Sequence, residues 1–200
     1  MKKIFKYIFA GMAAMSVVAC SEDALETSPS SSVSGNELLG TATNALVSLN
    51  GVYRAMYTAG VSNSSNTHQC FGITAYNLVA DVMGEDCIMN GQGSGWFWYD
   101  CVYNVKSRYT STGWRSYDMW NGYYTWISNV NYILAEEETM SGSETEKNYV
   151  LGQAYAVRAY SYFMLAQMFS RTYKRHESEP CVPLYTEPVS YTHLTLPTKA

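Results

Sequence analysis

Residues 149–169 (YVLGQAYAVRAYSYFMLAQMF) constrain the fold of this 200-residue chain more than any other segment. The segment contains no proline and no charge cluster, and its apolar residues fall on nearly every side of a 3.6-residue helical wheel. Such a pattern predicts a buried helix rather than an amphipathic one. Small residues alternate with large aromatic ones, so neighbouring helices can approach closely while the rings fill the gaps. We therefore expect this helix to lie at the centre of a helical domain.

Three further segments carry a helical pattern of apolar residues: 36–57, 72–83 and 113–134. Gly60 is expected to end the first of them, and Ser143 or Thr145 to cap the helix that contains residues 149–169. The second segment is a helix or a half-buried stretch. Together these segments predict a mainly α fold, built of tetratricopeptide-like helical pairs with irregular loops.

The first 20 residues resemble an export signal. Lys2, Lys3 and Lys6 form a basic start, and residues 8–19 form an apolar stretch that is too short to span a bilayer comfortably. Residues 17–20 (VVAC) match a lipobox, in which Cys20 is acylated and becomes the new N-terminus. An ordinary secretory signal with a chance cysteine is the alternative. Residues 20–35 are then a polar tether, too poor in apolar side chains to fold alone.

Charge and motif content exclude several classes of function. Removal of residues 1–19 takes away three lysines and no acid, so the net charge of −4 becomes −7, which argues against nucleic acid as a partner. His68, His176 and His193 share no metal-ligand spacing, and the chain has no nucleophile-elbow or metalloprotease motif. We therefore predict no metal, no cofactor and no enzymatic activity.

Four cysteines remain when Cys20 is assigned to lipid: Cys70, Cys87, Cys101 and Cys181. An exported chain permits disulfides among them, and four cysteines allow three pairings. Small buried hydrophobic side chains are the alternative, because a helical core of this size does not depend on disulfides.

Residues 90–103 (NGQGSGWFWYDCVY) place four consecutive aromatic residues directly behind a Gly/Ser segment. In a strand, Trp96 and Trp98 would face one side, where flat indoles could stack on sugar rings. Asp100 and Asp81 are weaker polar candidates for the same site. The alternative is that all four aromatic residues fill the core. No Gly-Lys-Ser/Thr follows the glycines, so this is not a phosphate-binding loop.

The aromatic stripe of residues 113–134 is assigned to the core. Aromatic residues at helical spacing pack against neighbouring helices more often than they bind ligands. Trp114, Trp120 and Trp126 are therefore left out of the predicted site.

Several motifs resemble the SusD/RagB family of outer-membrane lipoproteins. Gly152-Gln153-Ala154, Arg158-Ala159-Tyr160 and Tyr162-Phe163 are similar to that family's G-E-A…R-A…Y-F helix, although Gln153 stands where Glu is usual. The partner of Arg158, a cation in a predicted core helix, is therefore left open. Segments 49–57, 120–134 and 181–189 resemble further motifs of the family in the same order. Residues 36–189 are thus expected to be the N-terminal portion of a SusD-like α-solenoid, and residues 190–200 a non-native tail.

The resemblance implies a function and a location. It implies a lipid-anchored protein on the cell surface that binds glycans and passes them to a SusC-like TonB-dependent outer-membrane transporter, without catalysis. It also implies an aromatic ligand-binding loop in the region of residues 90–103. The alternative is a helical-repeat lipoprotein scaffold that binds a protein or peptide.

Overall fold

The computed structural model of the chain describes residues 38–104 and 113–188. These residues form five helices: α1 (Ala42–Ala55), α2 (Ile73–Met83), α3 (Trp98–Cys101), α4 (Trp114–Ala135) and α5 (Glu144–Phe169). The same residues contain no strand, only an isolated bridge between Thr41 and Ser141. The prediction of a mainly α fold is confirmed. The predictions for the signal peptide, Cys20, the tether and residues 190–200 lie outside the described residues.

Helices α4 and α5 pack as an antiparallel pair. The contacts between them run in opposite directions along the two helices: Trp120 with Phe169, Tyr124 with Tyr162, Asn131 with Arg158, and Glu137 just beyond α4 with Tyr155. Residues 113–134 and 149–169, each predicted to be a helix, thus form one of the helical pairs that the sequence led us to expect. The pair buries the largest side chains of the core, among them Trp126, Tyr123 and Tyr124.

A capping box begins α5. Ser143 Oγ accepts a hydrogen bond from the backbone N–H of Glu146 at 3.3 Å, and the Glu146 carboxylate accepts one from the backbone N–H of Ser143 at 3.0 Å. The Glu146 carboxylate also accepts from the Ser143 hydroxyl at 2.7 Å, and this bond, with the one from the Ser143 N–H, lowers the pKa of Glu146. Of the two predicted caps, Ser143 is therefore the one that the structure uses.

Only one stripe of α5 is buried, so the prediction of a helix buried on all sides is wrong for the described residues. The buried stripe consists of Val150, Leu151, Ala154, Val157, Ser161 and Leu165. On the opposite side, Tyr149 is 62% exposed and Phe163 is 59% exposed. The physical reason is that the described chain supplies packing partners, α1 and α4, to one side of α5 only. No helix within the described ranges is long and apolar enough to cross a bilayer.

Within the predicted segment 36–57, Leu38 and Leu39 are helical, but a break at Gly40 and Thr41 separates them from α1, whose first turn is fixed from both sides of Thr41. Thr41 Oγ1 accepts a hydrogen bond from Asn44 N at 3.1 Å, a side-chain cap. The backbone N–H of Ala42 donates to the carbonyl of Ser141, and the N–H of Ser141 donates to the carbonyl of Gly40, both at 2.9 Å. The start of α1 is thus attached to the connection between α4 and α5. Helix α1 ends at Ala55, five residues before Gly60.

The partner of Arg158, left open by the sequence, is a neutral amide of α4. Arg158 donates to Asn131 Oδ1 at 2.9 Å and to the carbonyl of Thr186 at 3.2 Å, and its guanidinium lies 5.0 Å from the centre of the Tyr155 ring. Asn131 also donates to the carbonyl of Tyr185 at 2.9 Å. Arg158 and Asn131 therefore hold the segment after α5 against the helical pair.

Gly122 in α4 and Gly152 in α5 give a matched test of this packing. A Cβ at Gly122 would lie 2.4 Å from the hydroxyl of Tyr76, a fully buried ring that cannot yield, whereas a Cβ at Gly152 meets nothing within 4 Å. We expect Gly122→Ala to lower the free energy of unfolding by about 1–3 kcal/mol through overpacking. Gly152→Ala should raise it by about 0.5–1 kcal/mol through helix propensity. Urea unfolding measures both; equal effects of the two substitutions would contradict the packing of Tyr76 on α4.

The four cysteines in the described residues are free thiols, and only Cys70 is fully buried. Burial, with the neighbouring carboxylate of Asp118, raises the pKa of Cys70 to about 12, so its thiol is protonated at neutral pH.

We expect Ellman's reagent to modify Cys87 and Cys181, which are exposed, and to reach Cys70 only after unfolding. Cys87→Ser should remove one fast-reacting thiol, whereas Cys70→Ser should leave the fast phase unchanged. A fast phase that disappears with Cys70→Ser would refute the burial of that thiol.

Candidate functional site

The aromatic run after the glycines is a turn and not a strand, so that prediction is wrong. Phe97 has a left-handed backbone (φ 57°), and Trp98–Cys101 form the single helical turn α3. The backbone N–H of Phe97 donates to Gln69 Oε1 at 2.9 Å, which holds the turn in place. As a consequence, Trp96 and Trp98 do not share one face of a strand.

Trp96 stands at the edge of a cavity of about 540 Å³, here called the Trp96 cavity. Its indole is 51% exposed and stacks against the His68 imidazole, with ring centres 4.9 Å apart and planes tilted by 32°. Tyr99, which is 53% exposed, and the half-buried Trp114 also line the cavity. The cavity therefore has aromatic walls that reach solvent.

The remaining wall of the Trp96 cavity is rich in side-chain amides. They are supplied by Asn66, Gln69, Gln92 and Asn104. An amide presents both donors and an acceptor, so it can bond a hydroxyl group in either sense. Aromatic surface combined with a few polar groups is the usual composition of a small-molecule site. The arrangement suits a ligand that has flat apolar faces and many hydroxyls.

The predicted site residues are not all brought together. Trp96 and Asp100 line the Trp96 cavity. Trp98 is half-buried at the start of α3 and is not part of the cavity wall, and Asp81 is exposed on α2. Trp114, which the sequence analysis assigned to the core, lines the cavity instead.

Trp120 and Trp126, also assigned to the core, are 9% and 1% exposed. Both lie in the packed face of α4. Their rings contact Phe169 and Tyr123 respectively, edge to face. These two indoles are therefore unavailable to a ligand.

A buried cation lies behind the Trp96 cavity. Arg115 is 2% exposed, and its guanidinium forms an ion pair with Asp100 at 3.3 Å. It also donates to the backbone carbonyl of Gln69 at 2.8 Å. Burial lowers the pKa of Arg115 to about 10, so the side chain still carries its charge at neutral pH.

A second buried polar group connects α4 with the segment that carries His68. Ser62 Oγ donates to the carboxylate of Asp118, and Tyr76 OH donates to the Asp118 carbonyl at 2.9 Å. Asn121 donates to the carbonyl of Ser62 at 2.9 Å. Burial raises the pKa of Asp118, and the hydrogen bonds it receives oppose that shift. The segment after residue 60 is thereby held on α4 at two points.

Sequence reasoning missed His68, Gln69, Tyr99 and Arg115. Only Arg115 carried a signal: it is a cation in the first turn of a 22-residue helix, where the helix dipole disfavours positive charge. The contact between His68 and Trp96 joins residues from separate loops, and no sequence period relates them.

A larger cavity of about 670 Å³ lies at the end of α5, lined by Phe163, Tyr173 and His176 among others. Three of its polar side chains bond one another: Glu179 accepts from both Arg171 and His176, at 3.3 and 2.7 Å. The Trp96 cavity differs in combining stacked rings with amides. Within residues 38–104 and 113–188, no group of His, Cys, Asp and Glu side chains could hold a metal ion.

Comparison with known proteins assigns the family. Residues 80–196, more than half of the chain, match the sequence profile of a SusD-like family described as "Starch-binding associating with outer membrane". The chain belongs to the SusD-like family. The match confirms the resemblance seen in the sequence and includes α3, α4 and α5. No curated protein matches the chain significantly.

The fold of this SusD-like chain also occurs in a solved structure. The crystal structure of a SusD-like carbohydrate binding protein from Bacteroides vulgatus has 24% sequence identity to it and a TM-score of 0.59. The similar region covers 74% of this chain and 29% of that protein. The likeness shows that the two share the helical fold, and the chain spans less than a third of the length of that relative.

Proposed function

We propose that this SusD-like chain is part of a glycan-binding protein, and that the Trp96 cavity is a sugar site. The observation that carries the proposal is the half-exposed Trp96 indole at the edge of an amide-lined cavity. Apolar C–H faces of a sugar ring stack on an indole, and amides bond its hydroxyls. Membership of a family described as starch-binding supports the same ligand class. Binding of this kind breaks no bond, so the proposed role is non-catalytic.

The roles of the site residues follow from their positions. Trp96 and Tyr99 supply stacking surface, and Gln92 and Asn104 supply hydrogen bonds to hydroxyls. Trp98 and Asp81, two of the residues chosen from the sequence, are left with no direct role because they lie away from the cavity. Asp100 lines the cavity but is 1% exposed, so its part is structural.

Loss of the Trp96 indole is expected to abolish polysaccharide binding. The full chain, purified in detergent, is run on native gels that contain amylopectin, xylan or galactomannan. Truncation of a central tryptophan typically costs about 2 kcal/mol or more, roughly 30-fold in affinity. Trp96→Ala should therefore migrate without the retardation of the wild type, while its far-ultraviolet circular dichroism stays helical.

Tyr149→Ala is the matched control for this experiment. Tyr149 is 62% exposed but lies on α5, where it lines a different, apolar pocket with Leu46 and Val150. Removal of that ring should leave retardation unchanged. Retardation that is lost with Tyr149→Ala and kept with Trp96→Ala would refute the Trp96 cavity as the sugar site.

We further propose that the protein is lipid-anchored at the outer-membrane surface and delivers its ligand to a SusC-like TonB-dependent transporter. Residues 17–20 (VVAC) fit a lipobox, and the family is described as associating with the outer membrane. Two acyl chains on Cys20 give stable anchoring, whereas one gives only marginal binding. A surface anchor would hold the sugar site where polysaccharide arrives.

Lipidation at Cys20 predicts that Cys20→Ala removes the protein from the membrane. Cells that express the full chain are labelled with radioactive palmitate and fractionated. The wild type should carry label and sediment with the membranes, and Cys20→Ala should lose both properties. Cys87→Ala, which changes an exposed thiol of the folded domain, should behave as the wild type. Undiminished label on Cys20→Ala would refute the anchor.

A protein or peptide ligand is the second candidate, favoured by the exposed side of α5. Tyr155 and Phe163 are 42% and 59% exposed there, and small residues such as Ala156 and Ala159 lie between them. Such a surface suits another helix, because exposed aromatic rings alternate there with small residues. In the gel experiment, a chain that ignores all three polysaccharides would favour this second candidate.

A further inference from the structure

Arg115 contacts both loops that form the Trp96 cavity. Its two terminal nitrogens donate to the backbone carbonyl of Gln69 at 2.8 Å and to the carboxylate of Asp100 at 3.3 Å. Gln69 directly follows His68 in the sequence, and Asp100 directly follows Tyr99, so each contact is next to a residue that lines the cavity. Since a guanidinium is a rigid planar fork, the two contacts fix the distance between the loops.

Two aromatic rings hold the guanidinium from its other sides. Its central carbon lies 4.2 Å from the centre of the Trp114 ring and 5.1 Å from that of Phe97. Trp114 itself lines the cavity, and Phe97 directly follows Trp96. Arg115 therefore contacts three of the segments that form the cavity: the loop before α2, the turn at α3 and the first residue of α4.

Gln69 links Arg115 to the backbone next to the Trp96 indole. Its Oε1 accepts from the backbone N–H of Phe97 at 2.9 Å and lies 3.5 Å from an Arg115 nitrogen. That N–H belongs to the peptide group between Trp96 and Phe97, so the bond fixes the plane from which the Trp96 side chain leaves. The left-handed backbone at Phe97 costs about 1–2 kcal/mol for a non-glycine residue. Such a conformation persists where surrounding contacts impose it.

Stability alone does not account for a cation at this position. Arg115 is buried, and it lies in the first turn of α4, where the dipole opposes its charge. Replacement of buried ion pairs by apolar residues is often neutral or stabilising. A buried cation is costly in itself, and this one contacts three of the segments that form the cavity, so its position fits a role in the cavity.

We propose that Arg115 is the positioning residue of the sugar site, and that it holds the Trp96 indole over His68 through Gln69 and Phe97. This inference rests on the proposed function of the Trp96 cavity. Arg115 itself is 2% exposed and does not touch ligand. Its contribution is to order the indole before a sugar arrives, which lowers the entropy lost on binding.

The test combines a ligand-free and a ligand-bound measurement on the full chain. Nitrogen-15 labelling of the indoles gives five N–H signals, one for each tryptophan, which Trp→Phe variants assign. Arg115→Lys keeps the charge but loses the planar fork, and Gln69→Ala removes the link to Phe97 without burying a new charge. Both should shift the Trp96 signal and leave those of Trp120 and Trp126 in place.

The same variants are then run on the gel with whichever of amylopectin, xylan or galactomannan retards the wild type. Loss of one link in a hydrogen-bond network typically changes affinity by about tenfold. Arg115→Lys and Gln69→Ala should therefore weaken retardation by about that factor. Asn131→Ala is the matched control, because Asn131 is equally buried and polar but bonds the segment after α5. It should lower thermal stability while leaving the Trp96 signal and the retardation unchanged.

The outcomes separate this proposal from the proposed function. Retardation lost with Trp96→Ala but kept with Arg115→Lys, together with an unmoved Trp96 signal, overturns the positioning role and leaves the sugar site intact. A wild type that is not retarded by any of the three polysaccharides counts against the sugar site, while the shift of the Trp96 signal still decides the positioning. Signals of all five indoles that move alike in Arg115→Lys and Asn131→Ala mean general loosening, and overturn the inference.

Discussion

The antiparallel packing of α4 against α5 is the interaction on which the other parts of the described structure depend. Trp126, Tyr123 and Tyr124 are almost fully removed from water between these helices and their neighbours. Burial of large aromatic side chains is among the strongest contributions to a core, each worth about 1.5–3 kcal/mol or more. Helix α1 is attached to the connection between the two helices, and the segment after α5 is bonded to Asn131. The pair thus acts as the scaffold, and other elements are added to its surfaces.

The same scaffold reaches the candidate site through the first turn of α4. Trp114 and Arg115 lie in the first turn of the helix, at the edge of the core. Helix packing fixes their backbone, and their side chains contact the loop before α2 and the turn at α3. Asp118, one turn further along, holds Ser62 and Tyr76. One helix therefore orders two loop segments, and Gly122 provides the space in which Tyr76 approaches it. Sites of this kind are loops held by a rigid element.

The elements that could be predicted from the sequence are those in which apolar residues recur with the period of a helix. Residues 113–134 and 149–169 were recognised as helices because apolar side chains recur along them, and Ser143 was one of the two predicted caps because its capping pattern is local. The turn at Trp96 was not predictable in the same way. The left-handed backbone of Phe97 depends on Gln69, which is 28 residues away in sequence, and an aromatic run by itself is equally compatible with a strand.

The site was predicted in part for the same reason. Trp96 was found because four aromatic residues behind a Gly/Ser segment are unusual in composition, but composition does not say which of them faces solvent. Trp98 was chosen on strand alternation and lies outside the cavity, whereas Trp114 was rejected on helical spacing and lines it. The spacing of apolar residues identifies which face of a helix packs on the core. It does not show that Trp114, as the first residue of the helix, lies outside that packed face. The exposed side of α5 could not be predicted either, because the distribution of apolar residues around a helix does not show which neighbouring helices are present to cover it.

The Gly/Ser segment before Trp96 separates what can vary in this site from what cannot. A Cβ at Gly91 would meet no atom within 4 Å, while the base of the cavity is fixed by bonds to Arg115. A side chain added at Gly91 would therefore extend into open space and leave those bonds undisturbed.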